Sequence, residues 1–351
     1  MIGRWHTRLS DGRLQCDLCP RHCRLREGQR GYCFVREARE GDIHLSTWGR
    51  SSGFAVDPIE KKPLNHFHPA TPVLSFGTAG CNLGCRFCQN WEISTSRRWD
   101  TLAQVATPQR IASWCADHDI DQVAFTYNDP VVFAEYAVDV ADACHDGGIR
   151  TVAVTAGWIS APARPAFFDA MDATNIDLKA FDRDLHRRLT GADLDDVLET
   201  IAWVAARGRM WMELTSLLIP GLNDDQRLLR AQVRWILDHA GPDVPLHFSA
   251  FHPDHRMRDH PPTPPSTLTR AREVALSEGL HHVYTGNVRD RQGGTTRCAH
   301  CAEVLIRRDR FAVTDYRLTP AGTCPTCGAK LAGRFGAAPG RASPIPWRAC
   351  L

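Results

Sequence analysis

From residue 73 to residue 284 the chain alternates two hydrophobic rhythms. Short runs rich in Val, Ile, Thr, Leu and Phe fall at 73–76, 122–126, 150–155, 174–179, 211–217, 246–251 and 282–284. Runs this short and this continuously apolar suit strands buried on both faces. Between them lie stretches with apolar residues three and four apart, at 108–115, 131–144, 162–171, 194–206, 226–239 and 265–277. That is the period of an amphipathic helix. Their ends are marked as well: Thr107 precedes Pro108 as an N-cap, and Gly147 and Gly148 follow the helix that runs to Cys144. Strand and helix in alternation predict a parallel sheet covered by helices. The expected fold is α/β, an open or partial (β/α) TIM-like barrel with functional residues where strands end.

The rhythm breaks at both ends, which predicts three regions: a Cys-rich knuckle over 1–40, the barrel over 41–290, and a ribbon-like module with a tail over 291–351. Residues 42–77 read as β-structure leading into the barrel. His66 and His68 flank Phe67 and would share one side of an extended segment, in packing or solvent roles ahead of metal binding. The tail over 337–351 is rich in Pro, Gly and Ala and reads as poorly ordered.

Composition narrows the function classes. A chain of 351 residues with net charge +2 is too balanced to argue for nucleic acid or an anionic membrane. No apolar run approaches the roughly 20 residues of a membrane span, and residues 1–6 lack the apolar region of a signal peptide. A cytoplasmic location is expected, where thiols stay reduced. The 14 cysteines therefore read as metal ligands rather than disulfides, and most of them cluster. Cys115 and Cys144 stand alone in helical patterns and read as packing; Cys350 carries no reading.

Cys16, Cys19, Cys23 and Cys33 are spaced C-x2-C-x3-C-x9-C among turn-forming Gly and Pro. Four thiolates suit structural zinc, the commoner use of a short knuckle, or a second iron–sulfur cluster that passes electrons. Cys298, Cys301, Cys324 and Cys327 form C-x2-C … C-x2-C with 22 residues between the pairs, a zinc-ribbon signal. Residues 304–306 and 311–313 would supply its hairpin.

Cys81, Cys85 and Cys88 differ from both sets. They form C-x3-C-x2-C with Gly80 and Gly84 interleaved, Phe87 just before the last Cys, and no fourth Cys nearby. Three thiolates can hold three irons of a [4Fe-4S] cluster and leave the fourth open to a substrate or cofactor. The glycines fit a loop that wraps closely around a bulky group. Polar strand ends at 127–130, 155–158, 177–179 and 251–253 would fall on the same face as this loop. Asp177 and Lys179 are i, i+2 and point the same way, suiting an anionic ligand. Only four of the 42 basic residues are Lys (Lys61, Lys62, Lys179 and Lys330), so each lysine stands out against an Arg-rich background.

The three-cysteine motif resembles that of the radical S-adenosylmethionine (SAM) enzymes. The resemblance implies that Cys81, Cys85 and Cys88 bind a [4Fe-4S] cluster, that SAM chelates the open iron, and that a reductant such as flavodoxin or ferredoxin supplies electrons. Within that superfamily the whole chain is similar to relatives of pyruvate formate-lyase activating enzymes, in the branch called AmmeMemoRadiSam-system radical SAM proteins. The carrying stretches are the knuckle at 16–33, 57–64, 77–94, 126–136, 175–181, 219–224, 251–253, 284–287 and the ribbon. The resemblance further implies that Phe87 packs near adenine and that Asn128 or Asp129 replaces an acidic loop gripping the SAM amino group. Asp177, Lys179 and His252 would help to fix SAM. Memo-like and AMMECR-like proteins are the implied partners.

Two other functions compete. One is activation of a glycyl-radical enzyme, against which stands the lack of a ferredoxin insert after Cys88. The other is a Cys-rich zinc protein that binds nucleic acid, against which stands the absence of a basic, aromatic-interleaved stripe.

Overall fold

A computed structural model describes residues 1–97 and 104–351. Among the described residues, nine strands make the central sheet. Seven of them are parallel: β2 (Pro72–Phe76), β3 (Gln122–Phe125), β4 (Arg150–Thr155), β5 (Ala173–Asp177), β6 (Trp211–Leu218), β7 (Leu246–Ala250) and β8 (Val283–Gly286). Each pairs with the strand before it in sequence, the winding of a (β/α) barrel. β1 (Phe54–Pro58) lies antiparallel to β2 and β9 (Trp347–Ala349) lies antiparallel to β1. The sheet order runs from β8 at one edge to β9 at the other, so the barrel is partial, as expected.

Among the described residues, seven helices of five or more residues accompany these strands: α1 (Pro108–Asp117), α2 (Ala134–Asp146), α3 (Arg164–Phe168), α4 (Arg183–Thr190), α5 (Leu194–Arg207), α6 (Gln226–Ala240) and α7 (Pro265–Glu278). Thr107 caps α1 by accepting from the Arg110 N–H at 3.3 Å. The stretch expected to be helical from 131 opens with a 3₁₀ turn, Pro130–Phe133, capped by Asp129. α3 is shorter than 162–171, because Pro165 is tolerated only in the first turn.

Helix α4 departs from the expected pattern, which placed no helix there. Only Leu185 and Leu189 are apolar among its charged residues. Its caps are nonetheless complete: Asp182 accepts from the Leu185 N–H at 2.8 Å, and Gly191 ends it at φ +72°.

The N-terminal module is a three-stranded sheet (His6–Arg8, Leu14–Cys16, Arg24–Leu25) with a hairpin, Arg36–Arg39 and Asp42–Leu45. It is fastened to α2 by a buried ion pair. Arg36 donates to Glu135 (3.0 Å from Nη1) and to the Val132 carbonyl (3.2 Å). Burying two charges is tolerable only because each is paired and hydrogen-bonded.

The ribbon, with strands Thr296–Arg297, Val304–Asp309 and Ala312–Tyr316, docks at the other end of the barrel through His66. The fully buried His66 ring meets the Ala332 carbonyl at 2.6 Å and the Tyr284 hydroxyl at 2.6 Å, and Tyr284 continues to Thr296 at 2.7 Å. Packing is thus the role of His66. Residues 66–68 do not run extended: His68 sits at φ +45° within a turn.

The tail is also corrected. Instead of trailing away, residues 347–349 pair as β9 and bury Ala349. The outer edge of β1 has a row of backbone groups needing partners, and β9 satisfies part of it. No described helix is long and apolar enough to cross a membrane.

Candidate active site at the three-cysteine loop

The loop after β2 carries Cys81, Cys85 and Cys88, and it is held from several directions. Asn128, just beyond β3, accepts from the Thr78 N–H at 2.9 Å and donates to the Gly80 carbonyl at 2.7 Å. From the C-terminal end of α4, the Thr190 and Leu189 carbonyls accept from the N–H groups of Gly84 (2.7 Å) and Arg86 (2.9 Å). Buried Asn82 donates to the Trp158 carbonyl beyond β4 at 2.8 Å, while Arg21 of the N-terminal module donates to the Asn82 carbonyl at 3.0 and 2.9 Å. A loop braced in this way presents its thiols in one arrangement rather than many.

Two glycines permit the approach. Gly80 has φ +79°, and a β-carbon there would stand 2.1 Å from the Cys33 carbonyl oxygen. At Gly84 it would stand 2.4 Å from the Tyr32 hydroxyl.

The three thiols are half-buried. Burial pushes the Cys81 thiol well above its usual range, with the Asp129 carboxylate adding to the effect. Burial also pushes Cys85 up to about 12, although the Lys179 ammonium draws it down. Loading such a site must displace protons from sulfur. The donor set is three thiols without a fourth, and it is more open than the ribbon's. In the ribbon, Cys298–Cys327 and Cys301–Cys324 each stand 3.6 Å apart, and all four donors lie within 4.8 Å of one another. Among the described residues the motif thiols form no such tight group. The wider all-sulfur set fits an iron–sulfur cluster with one open corner; the compact tetrad fits a single ion.

Other strand ends converge on the same place. Lys179, after β5, lies 2.8 Å from Asp177 and 5.9 Å from the centroid of the Phe87 ring. Burial works against its charge, but Asp177 and Cys85 outweigh this and hold its pKa above the ordinary lysine value. Phe87 is buried against Leu189, Ile219 and Phe251. Asp129 is buried and bonded to the Thr155 hydroxyl (2.8 Å) and to the N–H groups of Ala156 (2.8 Å) and Val131 (3.1 Å). Burial raises its pKa against the pull of those donors. His252 stands apart: it is exposed, and its Nδ1 lies 3.1 Å from the Pro253 carbonyl.

The other lysines sort differently. Lys61 and Lys62 both bond buried Asp57, to which the Tyr127 hydroxyl also donates at 3.2 Å. Tyr127 has φ +72°, and its carbonyl accepts from Asn90 at 2.9 Å.

Sequence reading missed the α4 carbonyls, Asn82, Arg21 and Asn223; the last donates to the Leu217 carbonyl at 2.7 Å and the Lys179 carbonyl at 3.3 Å. Asp182 and Gly191, a cap pair bracketing one short helix, were the available signal for α4.

Comparison with known proteins agrees with this geometry. A family model described as the Radical SAM superfamily matches residues 76–231. The chain is 37% identical over 328 residues to the uncharacterized protein MJ0808 of Methanocaldococcus jannaschii, covering 93% of this chain and 97% of that one. It is 26% identical over 154 residues to the GTP 3′,8-cyclase of Stenotrophomonas maltophilia, covering 42% of this chain and 46% of that one. It is 24% identical over 179 residues to the 4-hydroxyphenylacetate decarboxylase activating enzyme of Clostridioides difficile, covering 48% and 55%. The match spans about half the length of these last two proteins.

Proposed function

The chain belongs to the radical SAM superfamily, and on that premise we propose that Cys81, Cys85 and Cys88 hold a [4Fe-4S] cluster whose open iron takes SAM. When bound, the cluster supplies the single electron that splits SAM into methionine and a 5′-deoxyadenosyl radical able to abstract a substrate hydrogen. The chain's own residues bind and orient. Lys179, kept charged by Asp177, places a positive point charge beside Cys85, where it offsets thiolate charge and attracts the SAM carboxylate. Phe87 and the apolar wall of Leu189, Ile219 and Phe251 form a dry surface for adenine. Asn128 and Asp129 act as positioning residues, the first through the backbone of 78–80 and the second through the end of β4. His252 contributes from the rim, and the ribbon thiols hold zinc.

The observation that carries this reading is the meeting of three thiols with the Lys179–Asp177 pair at the C-terminal end of a parallel sheet. The test is anaerobic reconstitution. The chain should bind iron and sulfide and, when reduced, release 5′-deoxyadenosine from SAM; Cys88→Ala should not. Undiminished cleavage by Cys88→Ala would end the assignment.

The reaction is proposed as an oxidoreductase-type hydrogen abstraction fed by flavodoxin or ferredoxin. Glycyl-radical activation is the second reading, favoured by the similarity to an activating enzyme. The comparable similarity to a cyclase pulls equally towards a small-molecule substrate. Memo-like and AMMECR-like proteins are the macromolecules to offer first, and a net charge of +2 lends nucleic-acid binding no support. Fourteen free thiols suit a reducing compartment such as the cytoplasm.

A further inference from the structure

Cys16, Cys19, Cys23 and Cys33 come from separate pieces of the N-terminal module. Cys16 ends the strand Leu14–Cys16, Cys19 lies in the following turn, Cys23 precedes Arg24–Leu25, and Cys33 precedes the Arg36–Arg39 hairpin. All four line one cavity, together with Arg36 and Asn82. The backbone ties them: the Cys16 N–H donates to the Cys23 carbonyl at 2.9 Å, and the Tyr32 N–H donates to the Cys23 sulfur at 3.4 Å. An N–H aimed at a thiolate is the kind of contact that tunes iron–sulfur sites.

Two features separate this site from the ribbon. The first is spacing. Although the four thiols face one cavity, among the described residues they do not form a group with all donors within 4.8 Å, as the ribbon thiols do. A single zinc ion draws four sulfurs to about 2.3 Å from itself; a cube of irons and sulfides holds its thiolates farther apart. In this respect the N-terminal set resembles Cys81, Cys85 and Cys88.

The second is place. The module and the motif loop touch closely: a β-carbon on Gly80 would collide with the Cys33 carbonyl, and one on Gly84 with the Tyr32 hydroxyl. Arg21 lies 3.7 Å over the Tyr32 ring and donates to the carbonyls of Asn82 and Gly191. Those partners are neutral, and the Arg21 side chain lines the same cavity as the four thiols.

We propose that Cys16, Cys19, Cys23 and Cys33 hold a second, fully thiolate-ligated iron–sulfur cluster that relays single electrons to the site at Cys81, Cys85 and Cys88. In each relay a one-electron protein donor of the flavodoxin or ferredoxin class is oxidised by one electron. The N-terminal cluster gains that electron and hands it across the Cys33–Gly80 contact; no proton or bond changes place. The relay rests on the proposed SAM chemistry, whereas the identity of the metal does not.

The test begins with the full chain bearing C81A/C85A/C88A, reconstituted anaerobically. It should keep about four irons with matching sulfide, in addition to the ribbon's metal, and should show a paramagnetic signal on reduction. Adding C19A/C23A should remove that iron. Zinc in place of iron, or no metal beyond the ribbon's, overturns the proposal, and either result leaves the SAM reading intact. In the otherwise native chain, C19A/C23A should lower SAM cleavage driven by flavodoxin by an order of magnitude or more relative to cleavage driven by dithionite. An unchanged ratio overturns the relay. Because both rates come from one preparation, partial misfolding cancels.

Discussion

Gly80 and Cys33 meet so closely that no side chain fits between them: a β-carbon on Gly80 would stand 2.1 Å from the Cys33 carbonyl oxygen. One contact therefore joins two cysteine clusters 47 residues apart in sequence, and it explains why the loop needs glycine beyond conformational freedom alone.

Gly80→Ala should fail on both counts, the positive φ of +79° and the collision with backbone. Strain in such regions costs about 1–3 kcal/mol before the clash is added. The variant should melt lower and load less iron than the native chain. Gly208→Ala is the control, with φ +58° but open space around it. Equal losses in both variants would remove the contact from the explanation.

Asn128→Ala should loosen the loop without touching a thiol. It deletes bonds to the Thr78 N–H and the Gly80 carbonyl, and the stranded buried groups each cost about 1–3 kcal/mol. Thermal melting should fall, and reconstituted iron should fall with it. Full loading at native stability would show that the loop holds its shape unaided.

Lys179→Met should leave iron content near native while raising the KM for SAM by about ten-fold or more, since a ~1.4 kcal/mol loss is a factor of ten. Lys179→Arg should recover only part of it, because a planar fork does not replace a point charge. Isothermal titration with SAM separates this from a folding defect. Unaltered affinity in Lys179→Met would sink the assignment.

Removing metal from the ribbon should unfold it locally. Its thiols approach to 3.6 Å in pairs, and elemental analysis should find about one zinc there. After chelation or Cys324→Ser, amide exchange should rise across the ribbon strands and stay slow in β3 to β5. Protection retained throughout the ribbon would show that the His66 contacts suffice without metal.

Acid should weaken the same end of the barrel. Burial holds the His282 pKa at about 4, outweighing nearby Asp243, against about 6.5 for an unfolded chain. The unfolded state then binds more protons between those values, so stability falls as pH drops from about 6.5 to 4 and is unaffected above. His68, lowered to about 4 by burial and by Arg150, adds to the same slope. Urea unfolding at pH 7.5 and pH 5 should show a smaller acid loss in His282→Gln than in the native chain. Identical losses would clear His282.

The reading from residues alone went far where the information is local. Cysteine spacing is a covalent property, so the three thiol clusters were visible as C-x3-C-x2-C, C-x2-C-x3-C-x9-C and paired C-x2-C. The seven buried strands announced themselves by continuous apolar runs, and Thr107 by its place before Pro108. Helix α4 lay at the margin, with too few apolar residues to register although Asp182 and Gly191 bracketed it.

What no linear pattern contains is the choice of partner. Asn128 reads like any turn residue until the fold sets it against Gly80, and the last carbonyls of α4 carry no label marking them for Gly84 and Arg86. His66, equally able to bind metal or to pack, became an anchor because the ribbon, more than 200 residues later, closes on it. Trp347–Ala349, in a segment whose composition suggests disorder, became a strand because β1 had an edge to satisfy. Periodicity and spacing are carried by neighbours in the chain, whereas burial, hydrogen-bond partners and charge pairing come from groups that meet only once the barrel is assembled.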